Sequence, residues 1–127
     1  MPGYDASQFD PPAPVASVAL RNQLDGAAVP DVLMLVDSGA DVTLIPRTAI
    51  EKLGSGLTGE PSYELVGFDG TKHFAPATIL DLIFLRRAFR GRYLVIESEC
   101  GILGRDVLNH IAILMDRPRR AWSEVSP

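Results

Sequence analysis

The stretch Val32-Leu33-Met34-Leu35-Val36-Asp37-Ser38-Gly39-Ala40 decides how this chain is interpreted. Its five leading apolar residues predict a short strand that is buried on both faces and ends at an acid. Ionising a carboxylate beside a buried strand costs free energy unless hydrogen-bond donors replace the lost water. Gly39 lets the backbone turn sharply, and the Ser38 hydroxyl can donate a hydrogen bond. Asp37 is therefore predicted to lie in a tight, partly dry turn that can hold a carboxylate for chemistry.

A β-hairpin is predicted around this strand. The runs VASVALRNQL and AVPDVLMLVD lie on either side of the turn dipeptide Asp25-Gly26, which favours a tight connection between two strands. Residues 1–14 contain four prolines and are expected to form a flexible lead-in. We therefore assign the single domain to residues 15–127.

Further short strands are predicted downstream. YELVGF and KHFAPATILDLIFL surround a glycine-tipped turn at Gly67-Phe68-Asp69-Gly70, and RYLVIE and IAILMD follow. Two segments are predicted to form short helices: PRTAIEKLG and RDVLNH. In the first, Pro46 lies in the first turn and Gly54 ends the helix. The sequence predicts a mainly β fold, a small closed barrel or sandwich with a flap hairpin and one or two short helices.

Composition and charge exclude several classes of protein. The chain has 127 residues, of which 46% are hydrophobic and 22% charged, so it fits one folded domain and is not disordered throughout. Its net charge of −4 disfavours a dedicated nucleic-acid binder. The start lacks the regions of a secretory signal, and no apolar run is long enough to span a membrane. A cytoplasmic protein without membrane partners is expected.

The apolar-apolar-Asp-Ser-Gly-Ala pattern at residues 35–40 resembles the active-site signature of the aspartic proteases. In its length, the chain is similar to the single-domain, retroviral-type branch of that family, the retropepsins. The second mark of that branch is a later apolar-apolar-Gly element before a short helix, and Ile102-Leu103-Gly104 fits it. The glycine-tipped turn lies where these proteins carry a flap. The resemblance spans roughly residues 15–116 and implies an aspartic-type endopeptidase, which is a peptide hydrolase.

The resemblance also implies residue roles. Asp37 would activate water, Ser38 would fix the active-site loops, and Gly39 would offer its carbonyl to the substrate. Substrate contacts are implied for six further residues: Ala40, Asp41, Gly67, Phe68, Asp69 and Gly70. Asp41 would also pair with Arg105 in a structural ion pair. The implied structural support comes from Arg105 together with Ile102, Leu103 and Gly104.

One aspartate implies two chains. Peptide hydrolysis by this route needs two carboxylates across one water, one to accept its proton and one to donate to the peptide carbonyl. The chain has one Asp-Ser/Thr-Gly motif, so the second carboxylate is expected to be Asp37 of another copy across a two-fold axis. The implied protein is a homodimer that acts on peptides or proteins and needs no metal or cofactor. Its terminal segments are only weakly strand-like, which predicts a weak dimer.

Other functions stay open at this point. The same fold can serve as a peptide-binding or dimerisation module in which hydrolysis is weak or absent. A metal-dependent hydrolase needs converging oxygen ligands, but Asp31 is six residues before Asp37, roughly 20 Å along an extended strand.

Nucleophilic catalysis and charge-based recognition are two further alternatives. Ser38 has no histidine in a supporting motif, and no further motif supports a catalytic pair of Cys100 and His110. A run of arginines between residues 86 and 92 is typical of a solvated strand end or turn, and it can favour acidic substrates or partners.

Overall fold

The computed structural model describes residues 3–54, 63–66, 70 and 72–125; for residues 63–66 and 72–75 it describes the backbone only. Within these residues the elements follow in this order: β1 (Tyr4–Asp5), β2 (Ala13–Arg21), β3 (Ala28–Val36), β4 (Leu44–Pro46), α1 (Arg47–Leu53), β5 (Tyr63–Val66), β6 (Lys72–Ala75), β7 (Ala77–Phe84), β8 (Arg87–Ile96), β9 (Gly101–Leu103), α2 (Arg105–Leu108), β10 (Ile113–Asp116) and β11 (Ala121–Glu124).

A closed barrel is the centre of the described structure. Its strands are hydrogen-bonded in the order β2, β3, β9, β4, β8 and β7, and β7 pairs again with β2. The interior is filled by fully buried apolar side chains, among them Leu20, Met34, Ile45, Leu80 and Leu103. The predicted mainly β fold with a closed barrel and two short helices is confirmed.

The first predicted hairpin is confirmed. Strands β2 and β3 pair antiparallel, with Val18 opposite Val32. The turn contains Gly26 at φ 73°, a backbone conformation that glycine adopts without the steric penalty that a Cβ imposes.

Strand β3 is buried mainly on one face. Val32, Met34 and Val36 are buried, whereas the alternate residues Leu33 and Leu35 are only half-buried. The expectation of complete burial on both faces is therefore wrong. In a small barrel, alternate side chains of each strand point into the interior. The burial of the outward-pointing side chains depends on which other segments cover the outside of the barrel.

The second predicted hairpin is formed by β5 and β6, with Val66 opposite Lys72. Three residues of its predicted tip lie outside the described residues: Gly67, Phe68 and Asp69. Gly70 is described, and it is exposed with φ 83°. The long strand predicted from residue 72 to 85 is divided, because Pro76 has no N–H to donate and separates β6 from β7.

Helix α1 has the predicted ends. Pro46 precedes it, and Gly54 ends it at φ 72° while donating its N–H to the carbonyl oxygen of Glu51. No helix among residues 3–54, 63–66, 70 and 72–125 has both the length and the apolar character needed to cross a membrane.

Part of the N-terminal segment is paired with other strands. Strand β1 pairs with residues 13 and 14 of β2, and Gly3 forms a bridge to Ala121 of β11. The predicted lead-in therefore includes paired backbone, because the non-proline residues keep the N–H groups that an edge strand needs. Buried Trp122 fixes the C-terminal hairpin by donating from Nε1 to the Val15 carbonyl oxygen at 2.8 Å.

Candidate active site

The Asp37 loop begins where two parallel strands end together. The register of β3 and β9 places Val36 opposite Leu103, and the N–H of Asp37 donates to the Leu103 carbonyl oxygen at 3.1 Å. The N–H of Gly39 donates to Asp37 Oδ1 at 3.0 Å, and the N–H of Ala40 donates to the Asp37 carbonyl oxygen at 3.2 Å. The half-buried carboxylate is thus oriented by backbone and keeps acceptor capacity for a ligand.

The element that begins at Ile102 packs directly against this loop. A Cβ on Gly104 would lie 2.5 Å from the backbone of Val42, so only glycine fits there. The N–H of Arg105 donates to the Ala40 carbonyl oxygen at 2.9 Å, and its guanidinium donates to the Ser38 carbonyl oxygen at 3.2 Å. Arg105 therefore contacts the predicted catalytic loop through both its backbone N–H and its guanidinium, and Gly104 packs closely against the backbone that follows the loop.

A buried polar network behind the loop was not predicted. Thr43 is fully buried, and its hydroxyl donates to Asp106 Oδ1 at 2.5 Å and accepts the N–H of Gly104 at 3.0 Å. The N–H of Thr43 donates to Asp106 Oδ2 at 3.1 Å. The sequence carries one signal for this network, the Thr43 hydroxyl inside the apolar run Val42–Ile45. A polar group that is buried with such a run requires hydrogen-bond partners.

The predicted ion pair between Asp41 and Arg105 is not formed in the described part of the chain. Asp41 is exposed, and the Arg105 guanidinium binds the Ser38 carbonyl instead. An exposed ion pair contributes only about 0–1 kcal/mol, so a hydrogen bond to a fixed carbonyl can replace it. The acid that does link α2 to the segment after the Asp37 loop is Asp106, through its hydrogen bonds with Thr43.

Asp37 and Ser38 line an open cleft of about 570 Å³. Much of the lining is apolar or proline: Tyr4, Pro11, Pro12, Ala13, Pro14, Val36 and Met115. The remaining lining residues are Arg117 and Arg120, from the turn between β10 and β11. A cleft that combines apolar walls with a few polar groups is the usual form of a ligand site.

The alternative catalytic groups do not assemble. Burial raises the pKa of the Cys100 thiol, whose sulfur lies 3.5 Å from the Gly101 carbonyl oxygen. The ring of His110 lies 6.0 Å from the ring of Phe89, so these two candidates have different neighbours. Among the residues that the structure describes, no group of three or more His, Cys, Asp and Glu side chains is placed to hold a metal ion.

The arginines between residues 86 and 92, which were interpreted as a solvated strand end or turn with acidic substrates or partners as the alternative, lie outside the Asp37 cleft. Arg87 pairs with Glu124 at 2.9 Å, and Arg90 pairs with Asp81 at 2.9 Å. Neither arginine lines the Asp37 cleft, whose basic side chains come from the turn after β10.

Comparison with known proteins supports the fold. No family model matches the chain, and no curated protein matches it in sequence. Its structure is similar to that of the EIAV protease complexed with the inhibitor HBY-793, with a TM-score of 0.55. That match covers 77% of this chain and 86% of the EIAV chain at 22% sequence identity. At this identity the likeness establishes a retropepsin-like fold and nothing about residues or activity.

Proposed function

We propose that the chain is the subunit of a homodimeric, retropepsin-type aspartic endopeptidase. The observation that carries this proposal is the position of the Asp37 carboxylate. It is held through Oδ1 by the N–H of Gly39 and lines an open cleft beside Ser38. A carboxylate that is oriented by backbone and open to a cleft can exchange a proton with water or with a bound peptide.

The reaction uses two such carboxylates. In the dimer one Asp37 is ionised and removes a proton from the attacking water, while the other is protonated and donates to the peptide carbonyl oxygen. Two carboxylates this close cannot both ionise, so they divide the roles of base and acid. When the tetrahedral intermediate collapses, a proton passes to the amide nitrogen and the C–N bond breaks.

The surrounding residues keep the reactive geometry. The bonds of Thr43 to Asp106 and Gly104 hold the start of α2 against the loop, and small displacements of catalytic groups are costly. Ser38 is assigned to hydrogen bonds between the active-site loops of the two copies. Gly39 is assigned to a contact between its carbonyl oxygen and the backbone of the substrate. Peptide contacts are assigned to Ala40, Asp41 and the flap residues Gly67, Phe68, Asp69 and Gly70.

Asp37→Asn tests this proposal. A carboxamide cannot act as a general base, so cleavage of a mixed peptide library between roughly pH 4 and 7 should fall by at least about 10³-fold. A pepstatin-type inhibitor should slow the wild type, and a chelator should not.

Asp25→Asn is the matched control. Asp25 lies in the exposed β2–β3 turn and accepts the N–H of Ala27 at 2.9 Å, a bond that an asparagine oxygen also accepts. This variant should cleave normally. Undiminished cleavage by Asp37→Asn, or chelator-sensitive turnover, would refute the assignment.

A second candidate function is peptide binding without hydrolysis. Among the described residues, one chain lines its cleft with a single carboxylate, which is half of what the chemistry requires. A chain that binds peptides as a monomer would therefore retain the cleft and lack turnover. Equal peptide binding by wild type and Asp37→Asn, with no cleavage by either, would favour this alternative.

A further inference from the structure

The turn between β10 and β11 holds two arginines at the rim of the Asp37 cleft. The N–H of Arg120 donates to the carbonyl oxygen of Arg117 at 3.0 Å, which closes the turn. The carbonyl oxygen of Arg120 accepts the N–H of Tyr4 at 3.3 Å, which ties the turn to β1. The backbone of both arginines is thus fixed next to the cleft that both residues line.

The guanidinium groups of these two arginines are available. In the described part of the chain, neither Arg117 nor Arg120 forms a side-chain hydrogen bond or ion pair. Arg119, from the same turn, differs: it pairs with Asp116 at 3.7 Å and does not line the cleft.

The charge of the cleft is opposite to that of the chain. The chain carries a net charge of −4, but the charged residues that line the cleft are two arginines and one acid, Asp37. In a dimer four arginines would face two carboxylates that share a proton, so a positive surplus would remain. Such a surplus attracts an anionic peptide and repels a cationic one.

A second copy of the chain is a poorer partner for this surplus. A two-fold axis brings only the residues close to it against their own counterparts. Because the proposed axis passes between the two Asp37 residues, arginines that line the same cleft would approach those of the other copy. Like charges brought together at an interface are unfavourable. The balance of charges therefore favours a substrate acid as the partner of Arg117 and Arg120.

We infer that Arg117 and Arg120 make the Asp37 cleft selective for peptides with an Asp or Glu side chain close to the cleaved bond. The inference rests on the proposed function, because it assigns the substrate class of the same site. Both arginines act as specificity-determining residues and take no part in the proton transfers.

The test uses pairs of peptides that differ only by Glu or Gln at one position near the cleaved bond. At roughly pH 6 the Glu peptide should have a kcat/KM about fivefold higher, the upper range for a solvent-exposed ion pair. High salt should reduce this ratio towards one because it screens exposed charges. Arg117→Gln/Arg120→Gln should abolish the preference, and Arg117→Glu/Arg120→Glu should favour a Lys peptide over a Gln peptide.

Arg119→Gln is the matched control, and it should keep the full preference for Glu. Because Arg120 has a left-handed backbone at φ 53°, Arg117→Gln alone provides a variant that leaves that residue unchanged. It should show an intermediate preference. A Glu-to-Gln ratio that does not change in the double variant overturns the inference, and so does a change confined to the dimer dissociation constant.

Binding separates this inference from the proposed function. The affinity of Asp37→Asn for the same Glu and Gln peptides, measured by fluorescence anisotropy, requires no hydrolysis. If the wild type cleaves neither peptide but Asp37→Asn binds the Glu peptide more tightly, the proposed function fails and the charge selectivity stands. If cleavage occurs without any charge preference, the proposed function stands and the selectivity fails.

Discussion

Asp37 directly follows a strand of the barrel and Asp81 lies within one, but their surroundings are opposite. Asp81 is 1% exposed, and three side chains donate hydrogen bonds to its carboxylate: Arg21, Gln23 and Arg90. The two arginines, above all Arg90 through its hydrogen bond, lower the pKa of Asp81 to about 2. Asp37 is half-buried, has one backbone donor to its carboxylate and lines a cleft.

The comparison shows what separates a structural acid from a reactive one. Asp81 lies at the seam that closes the barrel, where β2 and β7 are aligned at three positions, the last of them Arg21 opposite Asp81. Its carboxylate accepts from Arg21 of β2 and Arg90 of β8, so it joins β7 to both neighbouring strands and has little capacity left to bind a ligand. The acceptor capacity of Asp37 is mostly unused, which suits a group that must bind water and substrate.

The sharpest test of this contrast replaces each acid by its amide. Asp37→Asn should lose at least about 10³-fold in cleavage and change the free energy of unfolding by less than about 0.5 kcal/mol. Asp81→Asn should do the reverse, losing about 2 kcal/mol of stability while the folded fraction cleaves normally. The stability loss stays moderate because the two arginines are partly exposed and can be rehydrated.

Denaturant unfolding and peptide cleavage, measured on the same preparations, check both halves of this prediction. If both variants showed the same losses of cleavage rate and of unfolding free energy, the distinction between the two acids would be wrong.

A smaller effect is expected from lowering the pH, which should reduce the free energy of unfolding through Asp81. The folded-state pKa of Asp81 is lowered from its ordinary value of 3.8 to about 2, so its stabilisation is complete above pH ~4 and is lost as the pH falls towards ~2. The wild type should lose about 2 kcal/mol more than Asp81→Asn over that interval. Parallel stability curves for the two proteins would contradict the role of the ion-pair cluster.

The local pattern of the sequence predicts much of the fold. Asp25-Gly26 between two apolar runs predicts the β2–β3 hairpin, and the Pro46 to Gly54 punctuation predicts α1, because these signals act within a few residues. The position of Asp37 directly after a strand follows in the same way.

Contacts that form only when the barrel closes were not predicted. Thr43 meets Asp106 across 63 positions of sequence, and Arg21 meets Asp81 across 60. No local period links such residues. The predicted partner of Arg105 was wrong for the same reason, since the choice between an exposed acid and the Ser38 carbonyl depends on three-dimensional geometry.

The central claim is that two copies of Asp37 share one reaction, and a mixing experiment tests it most directly. Wild-type protein is held at a concentration where its specific activity no longer rises, and an equal amount of Asp37→Asn is added. Random pairing should then reduce the total cleavage rate to about half, because mixed dimers lack the second carboxylate. A rate that is unchanged by the added variant would show that one chain suffices for cleavage, and it would contradict the account.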